Sequence, residues 1–306
     1  MTPTHPAAPV TLTVDAVFAR YEAIRPHLPA ARRPGAAPVT VGGLLDMAGR
    51  VDGFLFDSFG VLNVGESVIP GAAECLSALR HRGTPFCVLT NAASYPRSEA
   101  LRRYRRMGLD IREAEVVSSR DVAFAQAGSV APGITWAAMS AGDDGFADSA
   151  VPVRDLLDDS RPWAAAEGFL FLSAARWTPA LQDRLVDELR RRPRPVIIAN
   201  PDLAAPREGG LSVEPGFWGH DLQDRTGISP RFFGKPYAAA FAAGLDRLGP
   251  GRHAMVGDTL HTDILGGQSA GCATVLVTDH GVLAGRQASG FIARSGILPD
   301  WIVPSI

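Results

Sequence analysis

The sequence is poor in cysteine and has no block of positive charge. Three cysteines stand far apart among 306 residues, and an odd number excludes a framework in which every thiol is paired within the chain. Thirty basic residues are nearly balanced by 32 acidic ones, and no basic run is interleaved with aromatic residues. Because a nucleic-acid-binding surface concentrates positive charge, we expect no nucleic-acid partner.

Long hydrophobic runs are also missing. No apolar stretch approaches the roughly 20 residues that cross a bilayer, and residues 1–14 lack the charged and apolar segments of a secretory leader. We therefore expect a cytoplasmic protein with reduced cysteines and no membrane partner. Hydrophobic residues still make up 46% of the chain, which is enough for a large core and for two domains.

Strand-like and helix-like patterns alternate along most of the sequence. The apolar segments that predict strands are residues 53–56, 85–89, 134–139, 168–172, 196–199, 254–256 and 273–277. The segments that predict helices are residues 15–24, 72–82, 96–107, 179–191 and 237–248. Such alternation is typical of an α/β fold, so we predict a Rossmann-like, doubly wound parallel-sheet core with crossover helices. The arginine run at 102–106 is typical of a solvated helix face.

The alternation is interrupted by a block whose loops are rich in Asp, Gly and Pro, and the first pattern then resumes. We predict an N-terminal extension at 1–50, a first part of the core at 51–127, an inserted smaller α/β cap domain at 128–230 and a second part of the core at 231–306. The extension either covers the core or helps to form a homodimer. The cap is a second surface for such a dimer.

Polar residues follow several predicted strands of the core. They are Asp57, Thr90, Asn91, Lys235, Asp258 and Asp263. Because open α/β sheets bind ligands where their strands end, these side chains should share one crevice. Taken alone, Asp258 is as typical of a helix cap as of a functional residue, and Lys235 is as typical of a surface lysine as of a functional one. Taken together, a carboxylate nucleophile, a hydroxyl, an ammonium and a pair of acids suit Mg²⁺-assisted phosphoryl transfer.

Five motifs in this order resemble the haloacid dehalogenase (HAD) superfamily of hydrolases. They are FLFDSFGVL at 54–62, VLTNAAS at 88–94, IIANPD at 197–202, FFGKP at 232–236 and MVGDTLHTDILGGQSAGCATVLV at 255–277. The size of the insert between the second and third core motifs resembles subclass IIA, which has a large α/β cap. The resemblance implies a hydrolase with the predicted core and cap.

The resemblance also implies a nucleophile and a metal site. Asp57 would attack phosphorus and form an aspartyl-phosphate. Asp57, Asp258 and the main-chain carbonyl of Phe59 would bind Mg²⁺, and Asp263 would bind the ion or orient a water on it. Lys235 would be catalytic by holding the transferring phosphoryl group.

Other residues would hold the phosphate and the substrate. Thr90 would act with Lys235 on the phosphoryl oxygens, and amides of the turn after Asp57 would add donors. The phosphate- and substrate-binding residues implied in this way are Ser58, Phe59, Gly60, Thr90, Asn91, Lys235 and Asp202. Asp202 would reach the site from the cap.

Phe59 departs from the pattern of the phosphatases in this superfamily, which carry Asp there as general acid and then general base. Loss of a positioned acid–base group typically costs about 10² to 10⁴ in rate. Either His261 or His220 supplies the proton instead, or the substrate has a good leaving group, such as an acyl or aryl phosphate. Unless one of these histidines substitutes, the enzyme would be weak or restricted to good leaving groups.

Two further function classes remain open because of Phe59. Dehalogenating members of the superfamily carry an aromatic residue at this position and displace halide without Mg²⁺, although their caps are smaller and inserted earlier. A catalytically impaired protein that binds phosphate ligands is the other alternative, but buried acids are costly to keep without a cation. We predict a Mg²⁺-dependent phosphatase that acts on a small phosphorylated metabolite, whose identity the sequence does not indicate.

Overall fold

The computed structural model describes residues 12–31, 36–207 and 210–306. The predictions that concern residues 1–11 and 32–35 lie outside these described residues. They include the expected absence of a secretory leader and part of the N-terminal extension. Among the described residues, no helix is long and apolar enough to cross a membrane.

The described residues form an alternating series of strands and helices. The strands are β1 (Val39–Thr40), β2 (Gly53–Phe56), β3 (Asn63–Val64), β4 (Ser67–Val68), β5 (Phe86–Thr90), β6 (Val116–Ser118), β7 (Trp136–Met139), β8 (Val153–Asp155), β9 (Gly168–Phe171), β10 (Val196–Ile198), β11 (Ala204–Arg207), β12 (Gly210–Val213), β13 (Arg231–Phe232), β14 (His253–Gly257), β15 (Ala273–Val277) and β16 (Trp301–Val303). The α-helices are α1 (Val14–Ala23), α2 (Ala72–His81), α3 (Arg97–Arg106), α4 (Ser119–Val130), α5 (Pro179–Arg191), α6 (Pro215–Thr226), α7 (Ala238–Leu248), α8 (Leu265–Ser269) and α9 (Ala288–Ser295).

Seven parallel strands form the core sheet in the order β1-β16-β15-β14-β2-β5-β6. Every residue of β2 is buried, as expected for a parallel strand covered on both faces. Phe56 pairs with Val256 on β14 and with Val88 on β5, so the carboxyl ends of these three strands lie side by side. The predicted α/β core is confirmed, and this edge of the sheet is where its polar residues meet.

A second parallel sheet is built from the inserted segment. Its five strands run in the order β13-β10-β9-β7-β8, and the separate hairpin β11–β12 follows β10 in the chain. This separate sheet fits the predicted cap domain. The exact domain boundaries stay a prediction, and β13 at Arg231–Phe232 pairs with the cap strand β10.

Most elements lie where the sequence pattern predicts them, but α6 was not predicted. The proline and glycines of Pro215–Thr226 lower its helix propensity, so the helix signal in the sequence is weak there. A Cβ at Gly216 would overlap the backbone of Pro201, and one at Gly219 would crowd Ile198. The glycines therefore let α6 approach the end of β10, and the requirement comes from tertiary packing rather than from local pattern.

The N-terminal extension contacts both the core and the cap. Phe18 on α1 packs edge-to-face on Phe291 of the core, with ring centroids 5.1 Å apart. Tyr21 accepts a hydrogen bond at 3.1 Å from the amide of Leu203, just before the cap hairpin. Strand β1 extends the core sheet by pairing with β16. The extension therefore covers the core, as one alternative expected, and also joins it to the cap.

Candidate active site

Asp57 lies directly after β2, in a turn held by several side chains. The amide of Ser58 donates to Oδ1 of Asp57 at 2.6 Å. The Ser58 hydroxyl donates to Asn63 at 2.8 Å and accepts from the hydroxyl of Tyr104 at 2.9 Å. This network fixes the turn that presents the Asp57 carboxylate at the end of the sheet.

Lys235 is buried against the same carboxylate. Its Nζ lies 2.5 Å from Oδ1 of Asp57 and 2.8 Å from Oδ1 of Asp263. Its backbone N–H donates to Asn91 at 2.7 Å, and the Asn91 amide donates back to the Lys235 carbonyl at 3.0 Å. Burial opposes the charge of Lys235, but the carboxylates of Asp263 and Asp57 outweigh it, so its pKa lies above the ordinary value. Lys235 is therefore a fixed cation within the site.

Three carboxylates converge beside Lys235. Asp57, Asp258 and Asp263 each offer an oxygen, and these oxygens lie within 4.8 Å of one another. Burial raises the pKa of Asp57 to about 7, with the charge of Asp263 adding to the effect. Burial, followed by the charges of Asp263 and Asp57, also raises the pKa of Asp258 well above its ordinary value. A hard cation would relieve this mutual repulsion, and carboxylate oxygens are the ligands that Mg²⁺ prefers.

The loop after β14 holds two of these acids in place. Oδ2 of Asp258 accepts the amide of Val282 at 2.7 Å, and Oδ1 accepts the hydroxyl of Thr259 at 3.0 Å. The amide of Thr259 donates to Oδ2 of Asp263 at 3.0 Å. A Cβ at Gly281 would overlap the Asp258 carboxylate, so glycine is needed for this close approach.

The phosphate-binding candidates surround the same point. Thr90 and Asn91 are buried at the end of β5. The hydroxyl of Thr90 accepts the amide of Ala92 at 3.2 Å. Gly60 has φ +80°, and a Cβ there would lie 2.5 Å from Oδ2 of Asp258. The turn after Asp57 therefore lies against the acid cluster.

A cavity of about 290 Å³ opens between the core and the cap at this edge. The sequence-predicted site residues that line it are Asp57, Phe59, Thr90, Asn91, Asp202 and Asp258. Lys235 and Asp263 are buried behind the cavity wall, where Lys235 contacts both Asp57 and Asp263. The structure thus brings the predicted residues together, while their individual roles stay predictions.

Asp202 belongs to the cap and forms a hydrogen bond with a residue of the core. Its Oδ1 accepts a hydrogen bond at 2.8 Å from the amide nitrogen of Asn91, whose other contacts hold Lys235. Burial raises the pKa of Asp202 to about 8, against the opposing effect of Lys235. A carboxyl group of the cap is therefore held beside the phosphate-binding candidates of the core.

Two arginines of the cavity wall were not predicted as site residues. Arg207 has its guanidinium 4.9 Å from the ring centroid of Phe59 and 2.9 Å from Glu214. Arg103 stacks 4.4 Å from the ring centroid of Tyr95, and both residues line the cavity. The prediction of a solvated face is wrong for Arg103, because this side chain packs on Tyr95 and lines the cavity. Arg207 carried no sequence signal of this contact.

The two histidines considered as proton donors do not line the cavity. His261 is buried with Nε2 2.5 Å from Glu22, and its ring stacks on Tyr21 at 4.8 Å. His220 lies on α6 and its ring stacks on Phe232, with centroids 4.5 Å apart. Burial lowers the pKa of each histidine to about 4. Neither is placed or charged to protonate a leaving group.

Known proteins resemble this chain in sequence and in fold. Residues 54–148 match the model of the haloacid dehalogenase-like hydrolases, and residues 232–306 match a HAD-hydrolase-like model. Chronophin of Rattus norvegicus is 30% identical over 278 residues, which cover 86% of this chain and 88% of chronophin. The crystal structure of a possible sugar phosphatase from Cytophaga hutchinsonii has a TM-score of 0.75 at 23% identity and covers 87% of this chain and 98% of its own. Glycerol phosphate phosphatase from Mycobacterium tuberculosis, in complex with magnesium, has a TM-score of 0.61 at 26% identity, with coverages of 76% and 70%.

Proposed function

Because this chain belongs to the haloacid dehalogenase-like hydrolases, we propose that it is a Mg²⁺-dependent phosphatase that acts through Asp57 on a small phosphorylated molecule. The observation that carries the proposal is the contact of Asp57 with Lys235 beside two further acids at one cavity wall. This combination supplies a nucleophile, a fixed cation and a metal-ligand set at one point.

The residues present fit a divalent cation. Asp57, Asp258 and Asp263 would hold it, with the Phe59 carbonyl as the further ligand that the sequence predicts. When bound, Mg²⁺ supplies positive charge that offsets the charge of the phosphoryl oxygens and of the acids themselves. The magnesium complex of the M. tuberculosis neighbour supports this choice of ion.

The chemistry of the chain follows from these positions. A carboxylate oxygen of Asp57 forms a bond to phosphorus while the bond from phosphorus to the leaving oxygen breaks. Lys235 and Thr90 hold the phosphoryl oxygens in line for this attack. Water then attacks the phosphorus of the aspartyl-phosphate, and the electron pair of the breaking bond returns to Asp57. The cap over the cavity limits the access of other water during the first step.

The cavity supports a small substrate. At about 290 Å³ it lies near the lower end of the range typical of small-molecule sites, and the cap covers it. Arg103 and Arg207 line the same cavity and offer guanidinium groups to the organic part of the substrate. The M. tuberculosis neighbour is described as a glycerol phosphate phosphatase, which supports a small organic phosphate.

The first test is hydrolysis of aryl and alkyl phosphates by the wild type and by Asp57→Asn, each with Mg²⁺ and with EDTA. We expect turnover that needs metal and is lost in Asp57→Asn, with folding of the variant checked by circular dichroism. Substantial turnover by Asp57→Asn would contradict a covalent role for this carboxylate. Turnover of a halo-acid in EDTA, without any phosphatase activity, would favour the dehalogenase alternative.

A further inference from the structure

The structure leaves the phosphatase without its usual proton donor. Phe59 has no titratable group, and its ring lies under the guanidinium of Arg207. His261 and His220 are buried in contacts outside the cavity. The remaining carboxyl groups of the cap that line the cavity are those of Asp202 and Glu214. One of these two is therefore the best candidate for the missing group.

Asp202 is held in a rigid turn at the end of the cap sheet. Its N–H donates to Oδ1 of Asn200 at 2.9 Å, and its carbonyl accepts the amide of Gly216 at 3.0 Å. The next amide, that of Leu203, donates to the hydroxyl of Tyr21 at 3.1 Å. Three hydrogen bonds therefore fix the backbone that carries this carboxyl group, and such fixation is needed for a proton donor that acts at a defined atom.

The Asp202 side chain points into the reaction cavity. Its Oδ1 accepts from Asn91, which is itself locked onto the backbone of Lys235, and Lys235 contacts Asp57. None of the described residues donates a hydrogen bond to Oδ2 of Asp202, so this oxygen can carry a proton toward a substrate. The carboxyl group thus faces the substrate from the cap, while Asp57 faces it from the core.

Glu214 is bound differently. Its Oε1 accepts from Ser212 at 2.6 Å and from Arg207 at 2.9 Å, and its Oε2 accepts from Asn200 at 3.1 Å. Both oxygens are therefore engaged by donors, one of them a cation. This arrangement suits an ionised carboxylate that positions Arg207, and it leaves no oxygen of Glu214 for proton transfer.

We propose that Asp202 is the general acid of the phosphoryl-transfer step, in place of the residue at position 59. The proposal rests on the proposed phosphatase function. As Asp57 bonds to phosphorus, the electron pair of the breaking bond moves to the leaving oxygen, which takes the proton from Oδ2 of Asp202 and departs as the alcohol. When water attacks the aspartyl-phosphate, its oxygen bonds to phosphorus and its proton passes to the Asp202 carboxylate. The bond from phosphorus to Asp57 breaks, its electron pair returns to the Asp57 carboxylate, and inorganic phosphate is released.

The charges around Asp202 agree with this role. Burial raises the pKa of Asp202 to about 8, Lys235 lowers it, and Asp57 and Asp263 raise it further. The hydroxyl of Tyr21, whose own pKa is raised by burial, faces it from α1. With a raised pKa, Asp202 keeps its proton near neutral pH. It loses the proton as the pH rises, so the rate on alkyl phosphates should fall toward alkaline pH.

The test compares two leaving groups in wild type and Asp202→Asn. Asn keeps an oxygen that can accept from Asn91 but has no acidic proton. For glycerol phosphate, whose alkoxide is a poor leaving group, kcat/KM should fall by about 10² to 10⁴. For 4-nitrophenyl phosphate, whose leaving group needs no proton, it should fall by less than about tenfold. Because kcat/KM reports steps up to the first irreversible one, a later role as base does not affect this comparison.

Two further variants make the result specific to proton transfer. Glu214→Gln is the matched control in the same cavity, and it should change kcat/KM for both substrates by the same factor. Phe59→Asp in the Asp202→Asn background returns an acid to position 59, and it should restore the rate on glycerol phosphate. The alkaline fall of wild-type kcat/KM for glycerol phosphate should be absent in Asp202→Asn.

The outcomes separate this proposal from the function on which it rests. An equal loss on both substrates in Asp202→Asn would show a structural role and overturn the proposal, while the phosphatase function stands. Wild-type activity on glycerol phosphate as low as that of Asp202→Asn would overturn it as well. If the wild type hydrolyses neither substrate with Mg²⁺, both the phosphatase function and the proposal fail.

Discussion

Tyr21 should stabilise the fold through a single hydroxyl group. Its ring is buried between His261 and the cap, where it stacks on His261 at 4.8 Å with the two planes 5° apart. Its hydroxyl accepts the amide of Leu203 at 3.1 Å, across the junction between the N-terminal extension and the cap. Tyr21→Phe removes this acceptor and keeps the ring.

The expected cost follows from the burial of Leu203. In the variant, its N–H loses the acceptor and remains out of contact with water. A buried polar group without a partner typically costs about 1 to 3 kcal/mol. We therefore expect the free energy of unfolding of Tyr21→Phe to fall by about 1 to 3 kcal/mol.

The assay is urea unfolding at neutral pH, with Tyr237→Phe as the matched control. The Tyr237 hydroxyl is buried and has no hydrogen-bond partner among the described residues, so its removal leaves no group unpaired and should not lower the free energy of unfolding. If Tyr21→Phe is no more destabilising than Tyr237→Phe, the hydroxyl does not join the extension to the cap in the way described.

Two other substitutions test buried ionisable groups. The pKa of His220 is lowered to about 4 by burial, so the unfolded chain takes up the proton first as the pH falls from 6.5 toward 4. Stability should therefore decrease over this window, by about 1.5 kcal/mol between pH 6.5 and 5. In urea unfolding, His220→Phe should lack this part of the decrease; the same dependence of stability on pH in variant and wild type would contradict the prediction. Arg120 is fully buried and paired with Asp144 at 2.6 Å and with Asp148 at 2.7 Å. Its replacement by Met should lower the free energy of unfolding by about 3 to 5 kcal/mol, because two acids lose their partner. A decrease in the free energy of unfolding of less than about 1 kcal/mol would contradict this prediction and would show that water solvates the two acids instead.

The core of the site could be predicted because its signals are local. Asp57 follows an apolar strand, and the parallel arrangement alone places it beside Thr90 and Asp258. The spacing of Asp263 after Asp258 is also fixed locally, by the loop and the helical turn after β14. The strand pattern alone is enough to locate residues of this kind.

The cap side of the site depends on tertiary contacts that no local pattern contains. Arg207 reaches the ring of Phe59 only because the β11–β12 hairpin folds over the core. Helix α6 was missed because its glycines serve close packing against β10 and lower its helical signal. His261 was a reasonable candidate by sequence, yet Tyr21 and Glu22 of the N-terminal extension enclose it.

The central claim is that Asp57 carries the phosphoryl group during turnover. The most direct measurement is acid quenching of the Mg²⁺-loaded protein during hydrolysis of 4-nitrophenyl phosphate, followed by mass spectrometry of its peptides. We predict one phosphoryl group on the peptide that contains Asp57, formed in the wild type and absent in Asp57→Asn. Turnover in the wild type without phosphorylation of this peptide, or phosphorylation at another residue, would contradict the account.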